Sequence, residues 1–391
     1  MTSSPASSRS PQVFTRIFQE FFRSEKFSGF LLIACTLISM GIANSGIGPA
    51  YLDFWEQSVG PLSISHWINE GLMAIFFLLV GLEIEREIYI GELSTFRHAA
   101  LAIIAAIGGM AVPALIHFML NGGTATASGA GIPMATDIAF ALGVLSLAGK
   151  SVPPAIKVFL AALAIIDDLG AILVIALFYT SQLAWIYLVG ALSIFGILFY
   201  LGKKGMMYLP IYLVGGVVMW FCLYRSGVHA TISGVLLAFA IPFGKGTHAS
   251  LSEKLQQFLQ PIVAYGIIPL FALANTGMLI GQELAPTLVS LNSLGIMLGL
   301  FAGKPIGVFL FSYVAAQLKW AALPSGVQWK HILAAGMLAG IGFTMSIFIT
   351  LLAFPDASTV ISSKVAILLA SFFSAIVGLF SFQLMGSARN A

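Results

Sequence analysis

At 391 residues, with 59% hydrophobic and 8% charged side chains, the chain is excluded from the soluble globular class, in which about a quarter of residues are charged. A net charge of only +3 gives no basis for a nucleic-acid partner. The apolar runs are continuous rather than alternating, which excludes a transmembrane barrel and predicts an all-α polytopic membrane protein in contact with the lipid bilayer.

Residues 1–12 are rich in Ser and Pro and too poor in apolar side chains to fold, so a partly disordered tail over 1–26 is expected. Arg16, Arg23 and Lys26 precede the first apolar stretch, which reads as an uncleaved first helix because further spans follow it. Twelve spans are predicted, at about 27–45, 66–88, 98–120, 129–148, 153–179, 183–201, 206–224, 227–243, 258–280, 288–316, 330–354 and 360–385. They form one transporter-sized domain over 27–385, followed by a short tail over 386–391. Of the 18 Lys and Arg residues, only Arg225 and Lys364 fall on one side and Lys304 inside a span. The rest share the other side with both termini, which the positive-inside bias makes cytoplasmic. Cys35 and Cys222 lie within apolar runs and imply no disulfide framework. The longest outside loop, 45–65, carries Gly, Pro and two acids and has room for a short hairpin.

Charge inside the spans is the sharper signal. Glu83, Glu85, Arg86 and Glu87 close the second span on the cytoplasmic side, either as a solvated helix end or as a cation funnel or pH-responsive cluster. In the fourth span Pro133 removes a backbone donor and clashes with the preceding turn, so the helix should break there, with Thr136 or Asp137 capping its second half. In the fifth, Asp167 and Asp168 interrupt an apolar run from Val158 to Phe178 that is long enough to cross a core of about 30 Å. Neighbours on a helix point about 100° apart, so one aspartate faces an ion cavity while the other meets a partner. Lys304 is the only base within a span and is read either as snorkelling or as the counter-charge of an aspartate, most simply Asp167. His229 is read first as a hydrogen-bonded packing residue. Gly336, Gly340 and Gly342 weaken the eleventh span, and paired interrupted spans in two halves point to a transport site built from inverted repeats.

Carboxylates bind hard cations, and desolvation favours the protonated form, so one buried acid holds H+ or a small cation in mutual exclusion. That exclusion couples the two ions when access alternates. No phosphate-binding Gly-rich Lys-Ser/Thr loop is present to suggest a primary pump, and no cofactor is called for.

Segments 67–77 (WINEGLMAIFF), 135–143 (ATDIAFALG), 164–170 (AIIDDLG), 226–231 (SGVHAT) and 340–348 (GIGFTMSIF) resemble the NhaA-type bacterial sodium/proton antiporters of the inner membrane. The resemblance implies twelve helices with inverted-topology repeats, the fourth and eleventh interrupted and crossing. It implies Asp168 as the principal Na+, Li+ and H+ site with Asp167 beside it, Thr136 and Asp137 as further ion-binding residues at the crossing, and Lys304 paired with Asp167. Transport would be electrogenic and activated at alkaline pH, with Glu83 and Arg86 at positions linked to that response. Departures are visible: Gln256, Gln257 and Gln260 stand where relatives can carry a titratable cluster, and Glu85 replaces a basic residue. The hairpin around 58–65, which joins protomers of a homodimer in the family, is short. Two rival readings fit less well. An intramembrane aspartyl protease needs two carboxyls on separate helices sharing a proton and a glycine-aspartate signature that is absent here. A proton-coupled organic-anion carrier needs more bases at its site than Lys304 alone.

Overall fold

A computed structural model describes residues 11–91, 96–179, 183–243, 250–279, 281 and 288–390. Residues 1–10 of the expected tail and the loop around Lys245 lie outside the described residues. Helices dominate. They are α1 (Pro11–Ala43), α2 (Gly48–Glu56), α3 (Ile64–Tyr89), α4 (Phe96–Asn121), α5 (Ile138–Leu147), α6 (Pro154–Phe178) and α7 (Trp185–Lys203). There follow α8 (Leu209–Ser226), α9 (Ile232–Ala240), α10 (Leu251–Thr276), α11 (Leu291–Gln317), α12 (Trp329–Ala339), α13 (Phe343–Ala353) and α14 (Ala357–Asn390). A 3-10 segment, Ala127–Met134, precedes α5.

Eight of these helices are individually long and apolar enough to cross a membrane, and three further pairs meet the test only as bent units. The chain is therefore an all-α polytopic membrane protein. The bent pairs are α1 with α2 at 114°, the 3-10 segment with α5 at 40°, and α12 with α13 at 49°. The long loop over 45–65 is more ordered than its composition suggested. It holds α2 and a hairpin, β1 (Ser58–Val59) against β2 (Leu62–Ser63), with Ser58 opposite Ser63 and Val59 opposite Leu62. The Trp67 indole donates to Val59 O at 2.9 Å and pins the hairpin to the start of α3.

Proline shapes the long helices without ending them. In α11 the ring of Pro305 removes the donor that a preceding carbonyl would use, and the helix answers with a π turn over Gly299–Gly303, immediately before Lys304. A second π turn, Val263–Ile267, lies between Pro261 and Pro269 of α10. A third, Trp67–Leu72, opens α3, and the Trp220 indole donates to the Glu70 carbonyl within it at 2.9 Å.

Packing follows residue size. Gly108 of α4 faces the backbone of Gly307 of α11, leaving no room for a β-carbon on either side, so the two helices approach closely. At the other extreme, α7 and α8 leave Ile186 81% and Val217 67% exposed, apolar surface of the kind a bilayer covers. The predicted span at 227–243 is the one that differs most: its helix is only the nine residues of α9, reached through the left-handed Gly227 and a turn.

Candidate ion site

Two interrupted helices meet inside the protein. The first break is where Pro133 placed it: Ala135 is extended (ψ 150°) and Asp137 N-caps α5, its Oδ1 accepting from Phe140 N at 2.9 Å. The second lies between α12 and α13 at Gly340–Gly342. Gly342, at the N-cap of α13, has no side chain to offer, so the first amides of α13 find partners elsewhere in the chain. Phe343 N donates to Ser371 Oγ at 3.1 Å and Thr344 N donates to Asp137 Oδ2, also at 3.1 Å. The Thr344 hydroxyl donates to the same oxygen at 2.5 Å.

Asp137 thus sits between two helix N-termini, each worth about +0.5 of an elementary charge, with its two oxygens divided between them. The opposite ends are answered in kind. The Lys304 ammonium donates to Met134 O, at the end of the 3-10 segment, and the Thr136 hydroxyl lies 2.9 Å from Ala339 O, at the end of α12. Two further bonds join the breaks: Asp137 N to Ile341 O at 2.7 Å and Ser346 Oγ to Ile132 O at 2.7 Å. Replacing Thr344 by Val leaves the backbone donor to Asp137 but removes the hydroxyl. The expected cost is about 1–3 kcal/mol, the range for depriving a buried acceptor of a partner. Thermal unfolding in detergent checks it, with Thr344→Ser recovering most of the loss.

Against this junction α6 presents its aspartates. Asp167 Oδ2 lies 2.9 Å from the Lys304 ammonium and accepts from Thr136 Oγ1 at 2.8 Å; Asp167 and Lys304 are both fully buried. Lysine pairing with Asp167, rather than snorkelling, is therefore the arrangement in the folded chain. Asp168 is 1% exposed and points elsewhere, as adjacent residues on a helix must. Charges that act on it come from Asp167, Asp137, Glu83 and Lys304. Asp167 Oδ1 and Asp168 Oδ1 are buried with no hydrogen-bond partner among the described residues. Nowhere in those residues do three or more His, Cys, Asp or Glu side chains gather as a metal centre.

A match along nearly all of the chain decides its kinship. A family model described as Na+/H+ antiporter 1 matches residues 19–382. The chain belongs to this antiporter family. It is 56% identical over 369 residues to a protein of Flavobacterium psychrophilum named Na(+)/H(+) antiporter NhaA, covering 94% of this chain and 96% of the relative. Identity is 58% to the like-named protein of Dechloromonas aromatica, over 91% and 93% of the two chains. With the like-named protein of Vibrio cholerae it is 48%, over 92% and 95%.

At the other predicted positions, the antiporter fold places Glu83 near Arg86, Glu87 and the side chain of Gln256, with which it hydrogen-bonds. Arg86 pairs with its neighbour Glu87 at 2.9 Å. Glu85 is the more deeply buried of the acids, and Ser252 Oγ donates to its Oε2 at 3.1 Å. The start of α10 therefore meets the acids at the end of α3 with the uncharged side chains of Ser252 and Gln256. His229 is apart from the aspartates: its Nε2 donates to Tyr179 O at 3.0 Å and its Nδ1 is 3.5 Å from Glu70 Oε1. Sequence reasoning missed Thr344, Ser346 and the carbonyls of Met134 and Ala339. A backbone carbonyl leaves no mark in a sequence, but the hydroxyls after Gly342 were a signal available to be used.

Proposed function

We propose that the chain exchanges cytoplasmic Na+ or Li+ for external H+ across the bacterial inner membrane, with the ions competing for Asp168 and Asp167. The observation that carries this reading is the pair of buried, unpartnered Oδ1 atoms on adjacent aspartates of a membrane-length helix. A carboxylate oxygen so placed takes a proton or a hard cation, and its desolvation penalises leaving it bare.

Asp168, with no lysine against it, is the principal site. Asp167 shares its Oδ2 with Lys304 and Thr136, so a cation drawn to it competes with the ammonium already there. Two acids and a lysine provide more proton-binding positions than one cation displaces, which supports electrogenic exchange. Asp137 holds the two broken segments together and stays out of the exchange, since both of its oxygens are engaged. The same engagement removes the partner carboxyl that an aspartyl protease would need.

The eight long helices, the three bent pairs and the short α9 supply the twelve passes of this reading. The broken fourth and eleventh passes would cross at their contact and belong to inverted repeats that rock to alternate access. An even number of passes puts both termini on one side, which the positive-inside bias supports as the cytoplasm. Glu83 and Arg86 would then mark a cytoplasmic funnel and pH-responsive region, a role supported by the reach of the Glu83 charge to Asp168. A homodimer joined through the Ser58–Ser63 hairpin, needing no cofactor, completes the proposal.

The test is a sodium-pulse proton-flux assay in proteoliposomes across a range of pH. Sodium should drive proton movement, and the sodium concentration for half-maximal flux should rise as pH falls. A half-maximal concentration indifferent to pH would overturn competition at the aspartates.

A further inference from the structure

The turn that closes α11 is built on an unexpected residue. Leu318 caps the helix, Lys319 N donates to Ala316 O at 3.1 Å, and Trp320 N donates to Ala315 O at 2.9 Å. Those two bonds make a Schellman motif, whose left-handed position is usually glycine because a β-carbon is disfavoured there. Lys319 holds that position instead, at φ 59°, and is the one non-glycine residue with positive φ among the described residues. A cation near a helix C-terminus is favourable in itself, but a lysine one or two residues earlier would supply it without strain. The backbone cost therefore points to a use for this side chain. Trp320, whose position in such a motif often packs back on the helix, is 62% exposed.

The surface leading to this turn is apolar. Ile306, Leu310, Val314 and Leu318 recur every four residues along one flank of α11 and its cap, each 45–51% exposed. The row is about 18 Å long, enough to cover one leaflet of a core about 30 Å thick. Beside it, aromatic rings hold the start of α12: Trp329 meets Tyr313 edge-on with centroids 5.1 Å apart, and Phe309 at 5.9 Å. Lys330 follows Trp329 and is exposed. Neither Lys319 nor Lys330 forms an ion pair among the described residues. The surrounding sequence offers them no acid, since Asp356 is the only Asp or Glu from residue 284 to 391. Asp356 lies beyond α13, at the far end of the interrupted α12–α13 pass.

We propose that this flank of α11, with its closing turn, is a binding site for an anionic phospholipid of the cytoplasmic leaflet. The acyl chains lie along Ile306, Leu310 and Val314. Tyr313 and Trp320 stand at the interfacial level, where amphipathic rings are favoured. The phosphodiester meets Lys319, and Lys330 adds attraction from α12. Charge complementarity selects the occupant: a zwitterionic headgroup brings its own cation against two unpaired lysines, and an anionic one does not. A lipid held this way ties α11, which carries Lys304, to the first half of the interrupted pass. Assignment of this end to the cytoplasmic leaflet rests on the topology proposed above.

The experiment uses the full-length chain in phosphatidylcholine liposomes doped with a phosphatidylglycerol that carries a photoactivatable acyl chain. Adducts should map to residues 306–320 and vanish with excess unlabelled phosphatidylglycerol, and the same probe on phosphatidylcholine should show no enrichment there. Lys319→Gly removes the charge while giving the turn its preferred residue, so this variant should unfold no earlier than the wild type. Its adduct yield at 306–320 should nevertheless fall about fivefold, the effect of one lysine at a membrane surface, with adducts elsewhere on the chain unchanged. Lys319→Arg should keep the yield. Lys330→Gln should lower it by a similar factor, and decides the matter where Lys319→Gly fails to fold. Equal yields from the two probes, or a yield at 306–320 indifferent to the folded variants, would overturn the site. Sodium-driven flux in the same liposomes tests antiport separately, and its absence would leave the lipid result standing.

Discussion

Asp168→Asn abolishes sodium-dependent proton movement in everted vesicles while the protein still inserts and folds. Asparagine matches the shape of the acid but neither titrates nor offers a negative charge, so both competing ions lose their site together. The substitution should not lower the unfolding temperature. Asp168 is 1% exposed, its Oδ1 has no hydrogen-bond partner, and its nearest charged neighbour is another acid, so removing the charge relieves a burial cost. Loss of transport with stability kept distinguishes a working acid from a structural one. In the wild type, one proton competing with one cation raises the apparent sodium constant about tenfold per unit as pH falls below the titration of the site, and leaves it flat above. Retained exchange in Asp168→Asn would take Asp168 out of the site.

The charges of this site were legible because bilayer-length apolar runs make any acid conspicuous: Asp167, Asp168, Asp137 and Lys304 stand out without a structure. The break at Pro133 was equally plain, since proline acts on its own helix. The break at Gly340–Gly342 was only half legible, because its cap is not local. Asp137 terminates α13 from more than two hundred residues away, and nothing near Gly342 announces that. The same distance hid Thr344. Gln256 was visible as a residue that cannot titrate, but its hydrogen bond to Glu83 depends on how α10 packs on α3. The π turns near Pro305 and between Pro261 and Pro269 could have been anticipated from the prolines, whereas the 114° bend between α1 and α2 follows from how the loop folds back.

Lys304→Ala has the second large effect, and it divides between stability and transport. Lys304 is fully buried and donates to two acceptors, Asp167 Oδ2 and the carbonyl that ends the 3-10 segment. Truncation leaves a carboxylate without its cation and a helix end without its donor. Breaking a buried pair from one side costs about 3–5 kcal/mol. The sign of its pH dependence follows from which species is left. At acid pH the stranded Asp167 is neutralised by a proton and the damage is small; at alkaline pH that proton must be taken from scarcer supply, so the loss of stability grows as pH rises. Lysine replaced by alanine also removes the competitor for Asp167 Oδ2, so sodium should meet less opposition and compete at lower pH than in the wild type. Unfolding temperatures from acid to alkaline pH, together with the pH profile of sodium-driven flux, measure both consequences. A variant as stable as the wild type throughout, with the same flux profile, would mean that the Lys304–Asp167 contact does no more than fill space.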